Sequence, residues 1–296
     1  MFRILKDWTL PIAMAIGILF HRQLDYLSVL IPYLIFAMLL LTFCKISPRE
    51  IRFVPLHGWL LLIQLGGCVA VYAALVFFNP IVAQAALVCV LAPTATSAVV
   101  IVGMLGGDIA FLATYTLAAN IGIALFAPVL FSFISDRENV TFFGSVFHIF
   151  RQIFALLMLP MLCAWFMRKF TPGFHRRLLN IHQLSFYLWA VALTIVIGKT
   201  VVFLIDKPDP DYWEQIIIAL VSLVICVSQF LIGRALGKRY GDVISAGQGL
   251  GQKNTVLAIW MAQTYLNPIA SIGPAAYVVW QNLINAYQLW LKRKHK

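Results

Sequence analysis

Apolar runs about as long as a bilayer span follow one another along almost the whole chain, separated only by short segments that carry charge, proline or glycine. A helix rises about 1.5 Å per residue, so about 20 such residues cross a hydrocarbon core about 30 Å thick. Residue types agree with that use: 62% are hydrophobic and 11% charged, with a mean hydropathy of +0.90. A soluble domain carries about 25% charged residues, and a water-facing surface cannot be built from this chain. The fold class expected is all-α and integral to the membrane.

The runs predict ten spans. The first five are Trp8 to Phe20, Leu27 to Cys44, Trp59 to Phe77, Ile81 to Leu105 and Ile109 to Phe133. A polar stretch from Ser135 to Asn139 separates them from Ile149 to Phe166, Leu184 to Leu204, Trp213 to Leu231, Ile244 to Tyr265 and Ile269 to Leu291. The N-terminal run passes through Pro11 without a small-residue cleavage site, so it reads as a span and not as a cleavable signal.

Basic residues test this assignment, because cytoplasmic loops are enriched in Lys and Arg. With ten spans, sixteen of the 22 fall on the side that holds both termini: Arg3, Lys6, Lys45, Arg49, Arg52, Arg168, Lys169, Arg176, Arg177, Arg234, Lys238, Arg239, Lys292, Arg293, Lys294 and Lys296. Arg22, Arg137, Arg151 and Lys207 fall on the other side, and Lys199 and Lys253 inside spans. The expectation is an inner-membrane protein with both termini cytoplasmic. The net charge of +11 is thereby spent on topology, not on a face for nucleic acid.

Several function classes lose support. The five cysteines lie in five different apolar runs with no CxxC pair, which suits small packing residues better than disulfides or metal ligands. No P-loop, HExxH, Ser-His-Asp set or pair of intramembrane carboxylates is present, so neither an ATP-driven pump nor an enzyme is expected, and no cofactor.

What remains is concentrated in the fourth and ninth spans. Leu91-Ala92-Pro93-Thr94-Ala95-Thr96-Ser97 interrupts one: Pro93 removes a ladder hydrogen bond, and Thr94, Thr96 and Ser97 offer hydroxyls to freed backbone or to a solute. Gly247-Gln248-Gly249-Leu250-Gly251-Gln252-Lys253-Asn254-Thr255 interrupts the other. Lys253 is the sharpest residue in it, since a charge at the helix centre costs roughly 2.5–3.5 kcal/mol on insertion scales. Snorkelling to the membrane edge is its ordinary explanation, but Asp242 and Tyr265 stand far away on either side. Lys199 lies close to the outer loop at Asp206, where snorkelling suffices. Asn120 and Gln64, in mid-span, suit a cavity or interhelical hydrogen bonds equally.

Five spans per half is an odd number, so the halves, 1–134 and 135–296, enter the membrane from opposite faces. Inverted repeats with corresponding broken helices are the plan of secondary transporters, where free helix ends meet ligand or ion near the midplane. A sensor or scaffold that has kept such a fold without transport is the reading from another class.

At the two breaks the chain resembles the bile acid:sodium symporter family. The matching parts are Ala92-Pro93-Thr94-Ala95-Thr96, Gly106-Gly107-Asp108, Phe126-Ala127-Pro128, Gly251-Gln252-Lys253-Asn254-Thr255-Val256-Leu257-Ala258 and Val279-Trp280-Gln281-Asn282. The resemblance implies a panel domain from spans 1, 2, 6 and 7, a core domain from spans 3–5 and 8–10 with two crossing broken helices, and alternating access for organic anions. It places Pro93, Thr94, Thr96, Ser97, Gln252, Lys253, Asn254 and Thr255 around the cavity, with Thr116, Asn120 and Gln248 behind them.

The departures bear on coupling. Sodium-coupled members carry Ser-Asn after the first proline and Glu-x-Gly-x-Gln-Asn in the second half; here Ala98-Val99 replace the pair, Gly249 the Glu and Lys253 the Gln, while Thr116 keeps one ligand position. An ammonium in a small site repels a second cation, so Lys253 is expected to stand in for sodium, and proton coupling or facilitated passage is favoured over sodium coupling. Arsenite-efflux relatives place Cys after the proline where this chain has Thr94, which argues against arsenite. The expected partners are a small organic anion, a proton and membrane lipid.

Overall fold

The computed structural model describes residues 9–46, 51–95, 97–134, 141–180, 184–206 and 212–294. In chain order the helices are α1 (Thr9–Leu19), α2 (His21–Asp25), a 3₁₀ turn (Tyr26–Leu30), α3 (Ile31–Lys45), α4 (Pro55–Leu75), α5 (Pro80–Leu91), α6 (Ala98–Leu105) and α7 (Ile109–Ile134). They continue as α8 (Phe142–Phe170), α9 (Pro172–Asn180), α10 (Leu184–Ile205), α11 (Tyr212–Tyr240), α12 (Val243–Gly251), α13 (Thr255–Tyr265), a 3₁₀ turn (Pro268–Ser271) and α14 (Ile272–Lys294). The chain is an all-α, multi-pass membrane protein.

Among the described residues, six helical stretches are long and apolar enough to cross a membrane unaided: His21–Lys45, Pro55–Leu75, Ile109–Ile134, Phe142–Phe170, Leu184–Ile205 and Tyr212–Tyr240. The other four expected spans fall short for separate reasons. Helix α1 has only 11 residues, the fourth and ninth regions are each cut in two, and α14, at 23 residues, carries Gln281, Asn282, Asn285 and Gln288 within its length.

Helix ends differ from the expected limits where charge was taken as a boundary. Helix α8 begins at Phe142 and runs through Arg168 and Lys169, and α11 continues past Leu231 through Lys238 and Arg239. Basic residues in a last turn favour the helix, because they face the negative end of its dipole and reach unpaired carbonyls. Pro128 and Pro160 are carried inside α7 and α8. The expected start at Trp8 and the polar link from Ser135 to Asn139 lie outside the described residues.

The chain forms two compact units, Met1–Lys45 with Leu156–Tyr212, and Ile46–Ala155 with Trp213–Lys296. In the first, α10 lies close to α1 and α2: a Cβ on Gly17 would stand 2.9 Å from Ile197 Cγ2, and one on Gly198 2.9 Å from Leu24 Cβ. His175 on α9 is buried and donates from Nε2 to the Cys44 carbonyl at 3.1 Å, fastening the short helix to the end of α3.

The second unit holds both broken helices. The Asn79 side chain accepts from Ile81 and Val82 N–H at the start of α5 and donates to Glu214 Oε1 at 2.9 Å. Asp108 caps α7 through Ala110 and Phe111 N–H, while its own N–H donates to Ser245 Oγ on α12 at 2.8 Å. Gly106 takes the left-handed conformation, φ 82°, that ends α6, and Gly241, φ 78°, turns the chain from α11 into α12. After that turn α12 folds back on α11 at backbone distance, because Gly233 faces Ala246 and Gly247, and Gly237 faces Asp242 and Ala246.

This contact generates a paired prediction. Gly237→Ala forces a methyl against the Asp242 carbonyl, an overpacking worth about 1–3 kcal/mol, and lowers the thermal midpoint of the detergent-solubilised protein. Gly58→Ala, where a Cβ meets nothing within 4 Å, leaves it unchanged or raises it, since alanine is the better helix former by about 1 kcal/mol.

Candidate functional site at the crossing of two broken helices

Proline at position 93 and the glycine-rich run before Lys253 stop their helices where the sequence places them, and both stretches continue as extended backbone. Ala92 lies at φ −47°, ψ 138° and Gln252 at φ −97°, ψ 102°. Extended backbone buried away from water needs partners, and the two breaks supply them to each other. Thr94 and Lys253 form an antiparallel bridge, in which Ala95 N–H donates to Gln252 O and Asn254 N–H donates to Pro93 O, each at 2.8 Å.

Side chains take the remaining carbonyls. At the end of α5, Gln229 Nε2 donates to Cys89 O at 3.3 Å, Lys253 Nζ to Val90 O at 2.9 Å, and Gln64 Nε2 to Leu91 O and Ala92 O at 2.9 and 2.7 Å. At the end of α12, Thr94 Oγ1 donates to Gly249 O at 2.9 Å and Tyr277 OH to Gly251 O at 2.8 Å. Gln281 holds the Lys253 peptide from both sides, accepting from its N–H at 2.8 Å and donating to its C=O at 3.2 Å.

Lys253 joins all these pieces. Its backbone bridges to the first break and to α14, while its side chain, 1% exposed, ends on the C-terminal carbonyls of α5. A helix C-terminus carries about half a negative charge, and α5 and α12 both end here, so the ammonium meets partial charges where a counter-ion would otherwise be needed. Among the described residues no group of three His, Cys, Asp or Glu is placed to hold a metal ion.

Other residues singled out by sequence divide into two sets. Pro93, Thr94, Ser97, Gln252, Lys253 and Asn254 come together at the crossing: Gln252 Nε2 donates to Ser97 Oγ at 2.8 Å, and Asn254 caps α13 by accepting from Leu257 N–H at 3.3 Å. Thr255 is the first, buried residue of α13. Thr116 and Asn120 instead bond along their own helix, to Leu112 O at 2.8 Å and Thr116 O at 2.7 Å, and Gln248 bonds to α14. Thr96 lies outside the described residues.

Sequence reasoning did not single out Tyr115, Gln229, Tyr277 or Asn285. Tyr115 donates to Gln64 Oε1 at 2.6 Å and so fixes which end of that amide faces the carbonyls. Its ring also explains Gly249, where a Cβ would stand 2.9 Å from Tyr115 Cδ1; Gly251 in the same way lies flat against the ring of Phe230.

Compared with protein-family models and with curated protein sequences, the chain finds no match in either. Gln64→Leu removes the donor to two buried carbonyls and the acceptor of a buried tyrosine at once, and lowers stability by about 1–3 kcal/mol; thermal unfolding in detergent measures it. Thr94→Val, which frees one carbonyl, has a smaller effect in the same assay.

Proposed function

We propose that this chain is a secondary transporter that moves a small organic anion across the inner membrane by alternating access. On this reading it is a divergent member of the bile acid:sodium symporter family, with ten spans in two inverted five-helix repeats and both termini in the cytoplasm. Spans 1, 2, 6 and 7 form its panel and spans 3–5 and 8–10 its core. The observation that carries the proposal is the mutual hydrogen bonding of two broken helices around a buried lysine. Non-helical backbone at membrane depth is tolerated where it is buried in protein or lines a wet cavity, and an ionisable residue there marks a functional site by default.

Lys253 occupies the role of a coupling cation. Its ammonium is hydrogen-bonded to a helix-terminal carbonyl, the kind of oxygen that would bind sodium, and an amine differs from sodium in that it can discharge by losing a proton. The sequence has no carboxylate at Gly249, so a sodium ion would not find its anionic ligand there. Coupling to protons, or passage without coupling, follows. The second reading, a sensor or scaffold on the same fold, draws on the fact that so many of the crossing's carbonyls already have protein donors.

Thermal stabilisation of the purified protein by a panel of organic anions, with and without sodium and at two pH values, tests these readings. A ligand at about 100 times its Kd raises stability by about 2.7 kcal/mol, well above the noise of such an assay. The expected result is stabilisation that changes with pH and is indifferent to sodium. Sodium dependence overturns the role given to Lys253, and no stabilisation by any anion favours the sensor. In proteoliposomes, Lys253→Gln abolishes uptake of the stabilising anion or removes its pH dependence; uptake with an unchanged pH profile overturns the role of the ammonium.

A further inference from the structure

Helix α14 carries a pattern that the crossing uses only at one end. Tyr277, Gln281, Asn285, Gln288 and Lys292 recur every three or four residues and therefore share one face of the helix. That face is turned inward: Tyr277 is fully buried, Gln281 is 5% and Asn285 4% exposed, and Gln288 is half-buried. Beyond Gln281, Gln248 Nε2 of α12 donates to Asn285 Oδ1 at 2.9 Å and to Gln288 Oε1 at 3.2 Å. At the exposed end Lys292 Nζ donates to Met104 O at 3.0 Å, at the last turn of α6. The polar face thus runs without interruption from the Lys253 peptide to the end of the unit.

Two atoms in its middle have no partner, Gln248 Oε1 and Asn285 Nδ2, and both are buried. One is an acceptor and the other a donor, on side chains already bonded to each other. A bare cation is refused by the N–H and an anion by the oxygen; the pair suits a small molecule that both donates and accepts. Turning the amides over exchanges which residue offers which group and still leaves one donor and one acceptor. On α7 the residues beyond Asn120 offer nothing similar, since Ile123, Ala124, Ala127 and Phe131 are all fully buried and apolar.

We propose that Gln248, Asn285 and Gln288 hold a short file of water leading from the Lys292 end of the unit to the Lys253 peptide, so that the crossing is hydrated along this one polar face. Buried water is stable where it reaches two or more polar partners, and here a free acceptor and a free donor lie on side chains bonded to each other. With the basic-side assignment, the file opens to the cytoplasm and brings protons to within one side-chain length of the ammonium. This last step rests on the transporter reading; the file itself does not.

Water-edited solid-state NMR of the full chain in lipid bilayers, with Gln and Asn side-chain amides labelled with nitrogen-15, tests it. Gln248→Leu, Asn285→Leu and Asn120→Leu assign the signals. The expected result is magnetisation transfer from water to the Gln248, Asn285 and Gln281 amides several-fold faster than to Asn120, which is equally buried. Gln288→Leu, a half-exposed position where misfolding is not a concern, slows transfer to Gln248. Transfer to Gln248 and Gln281 no faster than to Asn120, or unaffected by Gln288→Leu, overturns the file. Anion uptake is measured separately, so a protein with fast transfer and no uptake keeps the file and loses the transporter reading, and the reverse result does the opposite.

Discussion

A backbone amide that leaves its helix inside a bilayer finds no water to replace the lost bond, and each group left alone costs several kcal/mol. Two stretches of this chain leave their helices in what the hydropathy pattern places as mid-span, and the rest of the second unit is arranged around satisfying them. The bridge between Thr94 and Lys253 serves the two extended strands, and Gln64, Gln229, Tyr277 and Gln281 serve the helix ends. Glycines at 233, 237, 249 and 251 let helices and rings come near enough for those bonds to close. Packing here is subordinate to hydrogen bonding, the reverse of the order in a soluble core.

The same requirement explains why a lysine is tolerated there. Two helix C-termini converge on the crossing, and the ammonium brings a positive charge to the place where their carbonyls gather. An ammonium on a flexible stem reaches Val90 O from the opposite break, tying charge compensation to geometry. The bond holds only while the two breaks remain crossed, so separating them costs the lysine its carbonyl partner.

Much of this architecture was legible in the sequence because its strongest signals are local. Proline, clustered glycines and an isolated intramembrane lysine announce a break wherever they occur, and both breaks lie where those residues predict them. Gln252, Lys253 and Asn254 were legible for the same reason. Helix ends were less so: Arg234, Lys238 and Arg239 read as a loop, yet they continue α11 because basic side chains suit a helix C-terminus. Thr116 and Asn120 have the right chemistry for a cavity but bond to their own helix, a choice that composition cannot reveal. Tyr115, Gln229 and Tyr277 were illegible because their partners are main-chain carbonyls, which every residue possesses and no sequence marks. The polar face of α14 is a different case. Its spacing of three and four is visible along the chain, but such a spacing does not say whether the face turns inward or towards water.

The distance along the chain between the two breaks also sets a schedule. Val90 and Lys253 are 163 positions apart. At a synthesis rate of about 5–20 residues per second, the first break leaves the ribosome roughly ten to thirty seconds before the residues that complete it. Until then Pro93 O and Ala95 N–H lack their native partners, and the carbonyls ending α5 have Gln64 and, once it is made, Gln229. The crossing therefore closes late: its bonds can form only after Lys253 and its neighbours have been made.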